Sequence, residues 1–228
     1  MGKSFFITGT DTGIGKTFVT SLIALTLKER GVDVGVMKPV ETGCTEEAGE
    51  FIAADAARLK EAAEAKDEME LIAPCRFALP AAPSIAARAE GREITFAPIK
   101  RAYNTLCTRH DLLLVEGVGG LLVPINDQET VADLITTLDL PSIIVAGSHM
   151  GTINHTLLTV EGARNRGITV AGLIFNFYSK EGEPAIEEIT RITGLPVLGK
   201  IPRLEIDASL YSIKESLDLS PLLDDGGP

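Results

Sequence analysis

Gly9-Thr10-Asp11-Thr12-Gly13-Ile14-Gly15-Lys16-Thr17 decides the fold. Ahead of it stands a β-rich run, Ser4–Thr8. Behind it an apolar helical pattern, Lys16–Arg30, closes at Gly31, a favourable helix terminator. Strand, glycine-rich loop and helix in that order are the setting of a phosphate-binding loop. Gly13 and Gly15 permit tight turns that aim backbone N–H groups inward, and those groups cradle phosphate oxygens together with the helix start. Lys16 is placed to reach the β- and γ-phosphates, and the Thr17 hydroxyl to hold Mg²⁺. The spacing departs slightly from G-x-x-x-x-G-K-[ST]: the first glycine of that pattern falls on Thr10, and Gly9 sits one place earlier.

Outward from the loop, short Val/Ile/Leu runs alternate with helical patterns. The strand candidates are Val34–Lys38, Leu112–Glu116, Ser142–Ala146, Thr169–Asn176 and Val197–Ile201. Their continuous apolar character fits strands buried on both faces of a parallel sheet. Helices are expected over Glu47–Ala65, Pro98–His110, Val131–Leu138, Thr152–Asn165 and Glu183–Thr193, with a further start at Pro83. The alternation predicts an α/β fold: a doubly wound, mostly parallel sheet of the P-loop NTPase type, with helices on both faces. Residues 1–228 are expected to form one domain with a frayed tail at 224–228. Ligands in such sheets bind at the carboxyl ends of the strands.

Composition narrows the function classes. Of 228 residues, 45% are hydrophobic and 23% charged, as in an ordinary globular chain. The net charge of −11 disfavours the electrostatic footprint of a nucleic-acid or membrane binder. Cys44, Cys75 and Cys107 are scattered and lack C-x-x-C spacing. With no signal-peptide pattern at the start, a cytoplasmic location is expected.

Two carboxylates are candidates to complete a metal site. Glu116 ends an apolar strand in the Walker B place, followed by Gly117-Val118-Gly119-Gly120, which lets a ligand approach the backbone. Asp55 lies in an Ala-rich stretch and by local pattern reads more readily as a solvated helix residue. Lys38 stands where an apolar strand meets a loop, at the ligand edge of the sheet, where an ammonium can neutralise a carbamate or a transferring phosphoryl group. Gly151-Thr152-Ile153-Asn154 opens a helix whose N–H groups suit a carboxylate. Asn176, an amide that can pair with adenine through donor and acceptor together, ends a strand, and Pro202 follows another.

Taken in order, Gly-Thr-Asp-Thr-x-x-Gly-Lys-Thr at 9–17, Lys-Pro-Val-x-x-Gly at 38–43, Glu-Gly-x-Gly-Gly at 116–120 and Gly-Thr-Ile-Asn-His-Thr at 151–156 closely resemble the dethiobiotin synthetases of biotin biosynthesis. The resemblance spans about Lys3 to Leu204. It implies a homodimeric ligase that uses Mg²⁺ and ATP to convert diaminopelargonic acid and CO2 into a cyclic urea, through a carbamate and a carbamic–phosphoric anhydride. It implies catalytic roles for Lys16, Lys38 and Thr12, and metal ligation by Thr17, Asp55 and Glu116. The nucleotide would lie along Gly13–Phe18, Asp55, Glu116–Gly119, Asn176, Phe177, Pro202, Arg203 and Leu204. Thr42 and residues Gly151 to Asn154 would face the diamine substrate, the latter across the dimer interface. Gly13 stands where some members carry glutamate, and Arg203 where an apolar or aromatic residue is common. The competing resemblance is to nucleotide-switched ATPases of the ParA/MinD type, whose signature loop lysine is replaced here by Asp11.

Overall fold

The computed structural model describes residues 2–47, 50–203 and 210–223. Its strands are β1 (Lys3–Gly9), β2 (Val34–Met37), β3 (Val40–Thr42), β4 (Thr45–Glu47), β5 (Glu50–Ile52), β6 (Cys75–Phe77), β7 (Leu112–Glu116), β8 (Ser142–Gly147), β9 (Val170–Tyr178) and β10 (Val197–Pro202). The helices are α1 (Lys16–Glu29), α2 (Ala54–Ala63), α3 (Met69–Ile72), α4 (Pro83–Ala89), α5 (Phe96–Cys107), α6 (Val131–Leu138), α7 (Thr152–Arg164), α8 (Glu183–Thr193) and α9 (Ser220–Leu223).

Six strands form one sheet in the order β10-β9-β8-β1-β7-β2, and every pairing is parallel. β1 is interior, so the loop that follows it emerges between β7 and β8. Successive side chains of β1 alternate between the two faces, as a strand requires. Phe5 and Ile7 pack with Val19, Leu22, Ile23 and Leu27 of α1 and Leu59 of α2, while Phe6 packs with Ile99 and Leu106 of α5 and Ile135 of α6. A third cluster joins Ile144 and Phe175 to Val160 of α7 and Ile189 of α8. Helices therefore cover both faces, and the expected doubly wound architecture is borne out.

The departures are local. The helix expected over Glu47–Ala65 begins only at Ala54; ahead of it β4 and β5 form an antiparallel ladder. Ala and Glu favour a helix there, but Phe51 is packed against the core and its carbonyl accepts Arg76 Nη1 at 3.3 Å, which holds the chain extended. The helix expected from Pro98 starts earlier, at Phe96, because proline is tolerated in a first turn that needs no N–H partner. β2 stops at Met37, since the Lys38 N–H turns to the Ile72 carbonyl at 2.7 Å. The short parallel pair β3–β6 carries no apolar run long enough to mark it. Leu204 and the tail 224–228 lie outside the described residues.

At the amino end of the sheet Asp67 is buried at 5% exposure. It accepts hydrogen bonds from Arg109 Nη1 and His110 Nε2, each at 2.8 Å. Burial opposes the Asp67 charge, but these bonds outweigh it and hold the carboxyl below the usual aspartate range. A carboxyl whose pKa is lower folded than unfolded stabilises the fold above its unfolded value, and that contribution fades as pH falls through the folded value. Asp67→Asn is expected to cost about 1–3 kcal/mol at pH 7. In urea titrations the gap to the wild type narrows toward pH 3; a gap that widened on acidification would contradict the assignment.

Candidate active site

The phosphate loop is fixed from both sides. Thr10 N–H donates to the Val145 carbonyl at 3.0 Å, and Gly117 N–H to the Ile7 carbonyl at 2.9 Å. Gly13 and Gly15 take positive φ, 76° and 90°, which glycine adopts without a steric penalty. Gly15 caps α1 with no side-chain bond. A Cβ on Gly15 would stand 2.2 Å from Asn176 Nδ2, because Asn176 is buried beneath the loop and donates that Nδ2 to the Ile14 carbonyl at 2.9 Å. One of the two N–H donors of the amide expected to meet adenine is thus engaged as a strut. Thr12 is exposed, with its N–H on Asp11 Oδ1 at 2.7 Å. Lys16, 7% exposed, donates to the Asp11 carbonyl at 3.2 Å. Burial, aided by the neighbouring charge of Lys38, lowers its pKa to about 8.

Behind the loop lies a compact group of charges. Lys38 is 3% and Glu116 0% exposed. The Lys38 ammonium donates to Glu116 Oε1, to Asp55 Oδ2 at 3.0 Å and toward the Gly117 carbonyl at 3.4 Å. Thr17 Oγ1 donates to the same Glu116 Oε1 at 2.8 Å. Burial alone would favour the neutral amine, but Glu116 and Asp55 reverse it and raise the Lys38 pKa above that of ordinary lysine. Asp55 is half-buried; burial works against its charge, yet Lys38 holds its carboxyl low. Glu116 Oε2 is buried with no hydrogen-bond partner among the described residues. Asp55, which local pattern alone assigns to the solvated face of a helix, therefore faces the cluster.

Nothing in the sequence marks Glu41. It is buried, and its two oxygens accept the backbone N–H groups of Asp55 at 2.8 Å and Ala56 at 2.9 Å. Its partners are backbone groups on another element, so no spacing of side chains advertises the contact. Burial raises its pKa against the opposing effect of those two bonds.

The remaining residues frame this centre. Ile14 is buried, and Phe18 packs on the core. Gly117 sits where a Cβ would meet the Phe6 ring at 2.7 Å. Val118 packs against the second cluster. Gly119 has φ 62°, and a Cβ there would lie 2.6 Å from Val123 and 3.4 Å from Thr12 Oγ1, so the two loops run side by side. Phe177 takes φ 56° at the end of β9, and the Arg203 guanidinium lies 5.9 Å from its ring centre; Pro202 is exposed beside them. Thr42 is half-buried at the end of β3. At the start of α7, Gly151, Ile153 and Asn154 are exposed. Thr152 is turned inward there: its N–H goes to the His149 carbonyl at 3.0 Å and its hydroxyl to the Gly147 carbonyl. Among the described residues, no hydrogen bond or ion pair joins 151–154 to the Lys38 cluster.

Gly15→Ala strains a left-handed φ and also drives its Cβ into Asn176. The strain costs about 1–2 kcal/mol. The expected result is a loss of ATP affinity of about tenfold or more with the circular dichroism spectrum preserved. Calorimetric titration checks it, and full affinity would mean that the loop does not need the strut.

Comparison with known proteins identifies the family. Residues 3–207 match a family model described as an AAA domain. An ATP-dependent dethiobiotin synthetase BioD from Thermodesulfovibrio yellowstonii is 44% identical over 88% of this chain and 85% of its own. The protein of that name from Bacillus licheniformis is 41% identical over 97% and 96%. Among solved structures, a ParA family ATPase from Chlorobium tepidum superposes with TM-score 0.56 at 16% identity, covering 97% of this chain and 94% of that one. MinD of Aquifex aeolicus superposes with TM-score 0.57 at 16% identity, covering 89% and 83%. These two likenesses show the fold alone. The identity to curated relatives, carried over nearly whole lengths, places the chain in the ATP-dependent dethiobiotin synthetase family.

Proposed function

We propose that this chain converts diaminopelargonic acid, CO2 and ATP into dethiobiotin, ADP and phosphate, as a single-domain enzyme. The observation that carries the reading is the buried Lys38 ammonium, set between Glu116 and Asp55 directly behind the phosphate loop. A cation held there suits a reaction that passes through several anions: a triphosphate, a carbamate and a departing phosphate.

In the reaction, one substrate amine adds to CO2 and gives up a proton, forming a carbamate. A carbamate oxygen bonds to the γ-phosphorus as the bond to ADP breaks, giving a carbamic–phosphoric anhydride. The second amine then bonds to the carbonyl carbon as the carbon–oxygen bond to phosphate breaks; its spare proton leaves with the phosphate, and the urea ring closes. Phosphoryl transfer depends on placement and charge neutralisation more than on covalent help. Lys16 and the N–H groups of residues 13–18 would hold the phosphates, Thr12 would lie beside the transferring group, and Lys38 would neutralise carbamate and phosphoryl oxygens. Thr42 and residues 151–154 would hold the diamine chain and its carboxylate. Phe177, Pro202 and Arg203 would flank the base, joined by the acceptor half of the Asn176 amide.

Thr17, Asp55 and Glu116 would hold Mg²⁺, which when bound with ATP neutralises charge on the phosphate oxygens. The donor set fits that ion. Two carboxylates and a hydroxyl suit a small hard cation that completes its shell with water and phosphate, and Glu116 Oε2 is an unused acceptor at the centre. The reading extends to a cytoplasmic homodimer. Met150, Ile153 and Leu158 expose apolar side chains at the start and along the first turns of α7, which supports a partner surface beside the diamine site.

The test is phosphate release from Mg-ATP with bicarbonate, with and without the diamine, while mass spectrometry follows dethiobiotin. Diamine-dependent release matched by product is expected; ATP hydrolysis indifferent to the diamine would count against the reading. Lys38→Ala is expected to lower turnover by about 10²–10³-fold. It also leaves two carboxylates without their cation, so a fall in melting temperature accompanies it. An active Lys38→Ala enzyme would remove Lys38 from its role.

A further inference from the structure

We infer that Glu41 is a positioning residue that sets Asp55, and through it the metal-binding face of the site; the inference rests on the magnesium reading above. The α2 helix begins at Ala54 behind Ala53, and an alanine N-cap offers no side-chain oxygen to the first orphan N–H groups. Glu41 supplies both acceptors from outside the helix, one oxygen to the Asp55 N–H and the other to the Ala56 N–H. Its negative charge also sits at the positive end of the helix dipole. A buried carboxylate spent on two backbone donors is costly to keep unless the position of those donors matters.

The position matters because of what α2 carries. Asp55 is the second residue of that helix, and its Oδ2 lies 3.0 Å from Lys38 Nζ. Lys38 and Glu41 stand on one short segment, Lys38-Pro39-Val40-Glu41, and grip the same residue twice: Lys38 by its carboxylate, Glu41 by its N–H. The segment is itself anchored, by Lys38 N–H on the Ile72 carbonyl at 2.7 Å and by β3 pairing with β6. Helix start, aspartate and lysine are therefore tied to one another. Without the Glu41 clamp the first turn of α2 is free to fray, and Asp55 leaves the cluster with it.

The experiment compares ADP affinity by calorimetry in excess MgCl2 and in EDTA, for wild type, Glu41→Ala, Glu41→Gln and the double variant Glu41→Ala with Ala53→Ser. Melting temperatures are recorded alongside. Partners that orient metal ligands are worth about 10–100-fold in metal affinity. Glu41→Ala is expected to lose that much of the magnesium-dependent affinity while its affinity in EDTA is unchanged. Glu41→Gln, which keeps one acceptor and the side-chain volume, is expected to lose less. The Ala53→Ser substitution adds a local cap oxygen for the same first turn and is expected to restore part of the loss. If Glu41→Ala melts earlier yet binds Mg-ADP as wild type does at a temperature where it is folded, Glu41 is a stability element and the inference falls. Should Glu41→Ala not fold, Glu41→Gln decides in its place: wild-type Mg-ADP affinity in that variant overturns the inference, and a selective loss with magnesium supports it. A wild-type protein whose ADP affinity ignores magnesium would instead overturn the metal site, and this inference with it.

Discussion

Lys38 is an ammonium taken out of water, and the surrounding architecture answers that one fact. A buried lysine would shed its proton unless opposite charge were supplied at close range. Glu116 from the end of β7 and Asp55 from the first turn of α2 supply it. Thr17, from α1, bonds the same glutamate oxygen. Four elements distant in the chain thus converge on a few atoms, and they can do so because β7 lies between β1 and β2 in the sheet. Buried ion pairs of this kind are weak as a source of stability, because desolvation consumes most of the attraction. What they secure is arrangement: each member is costly to leave alone, so all remain together.

The arrangement separates chemistry from fold. The overall fold is one that the ParA family ATPase and MinD structures resemble at 16% identity. Two curated relatives are 41–44% identical over 88–97% of the chain. A phosphate loop by itself says only that phosphate oxygens are held. The lysine at the end of the second strand and the carboxylates facing it distinguish this site from a bare nucleotide cradle.

Much of this was legible in the sequence because it rests on local pattern. The run Leu112–Val115 is continuous and apolar, and the strand occupies it together with Glu116. The loop glycines have the positive φ that their spacing requires. The unreadable parts depend on tertiary partners. Ala and Glu around position 50 argue for helix, yet Arg76 holds the Phe51 carbonyl and the chain stays extended there. Asp55 looks solvated because its local stretch is rich in alanine; Lys38 lies 17 residues away. Glu41 and Asn176 act on backbone groups, and a backbone group looks the same at every position of a sequence.

The molecule also closes β2, an edge strand of four residues, at both of its ends. At the carboxyl end Met37 is in register with Val115, and the next residues along are Lys38 and Glu116. At the amino end the Asp33 carbonyl accepts the N–H groups of Asp111 and Leu112, and His110 lies between Asp33 and Asp67. A slip of β2 along β7 by a single residue is a shift of about 3.3 Å. That is enough to part both knots at once. The pair therefore works like a bar pinned at two points. Apolar side chains alone would accept neighbouring settings of such a short strand, and the charges at its two ends leave only one.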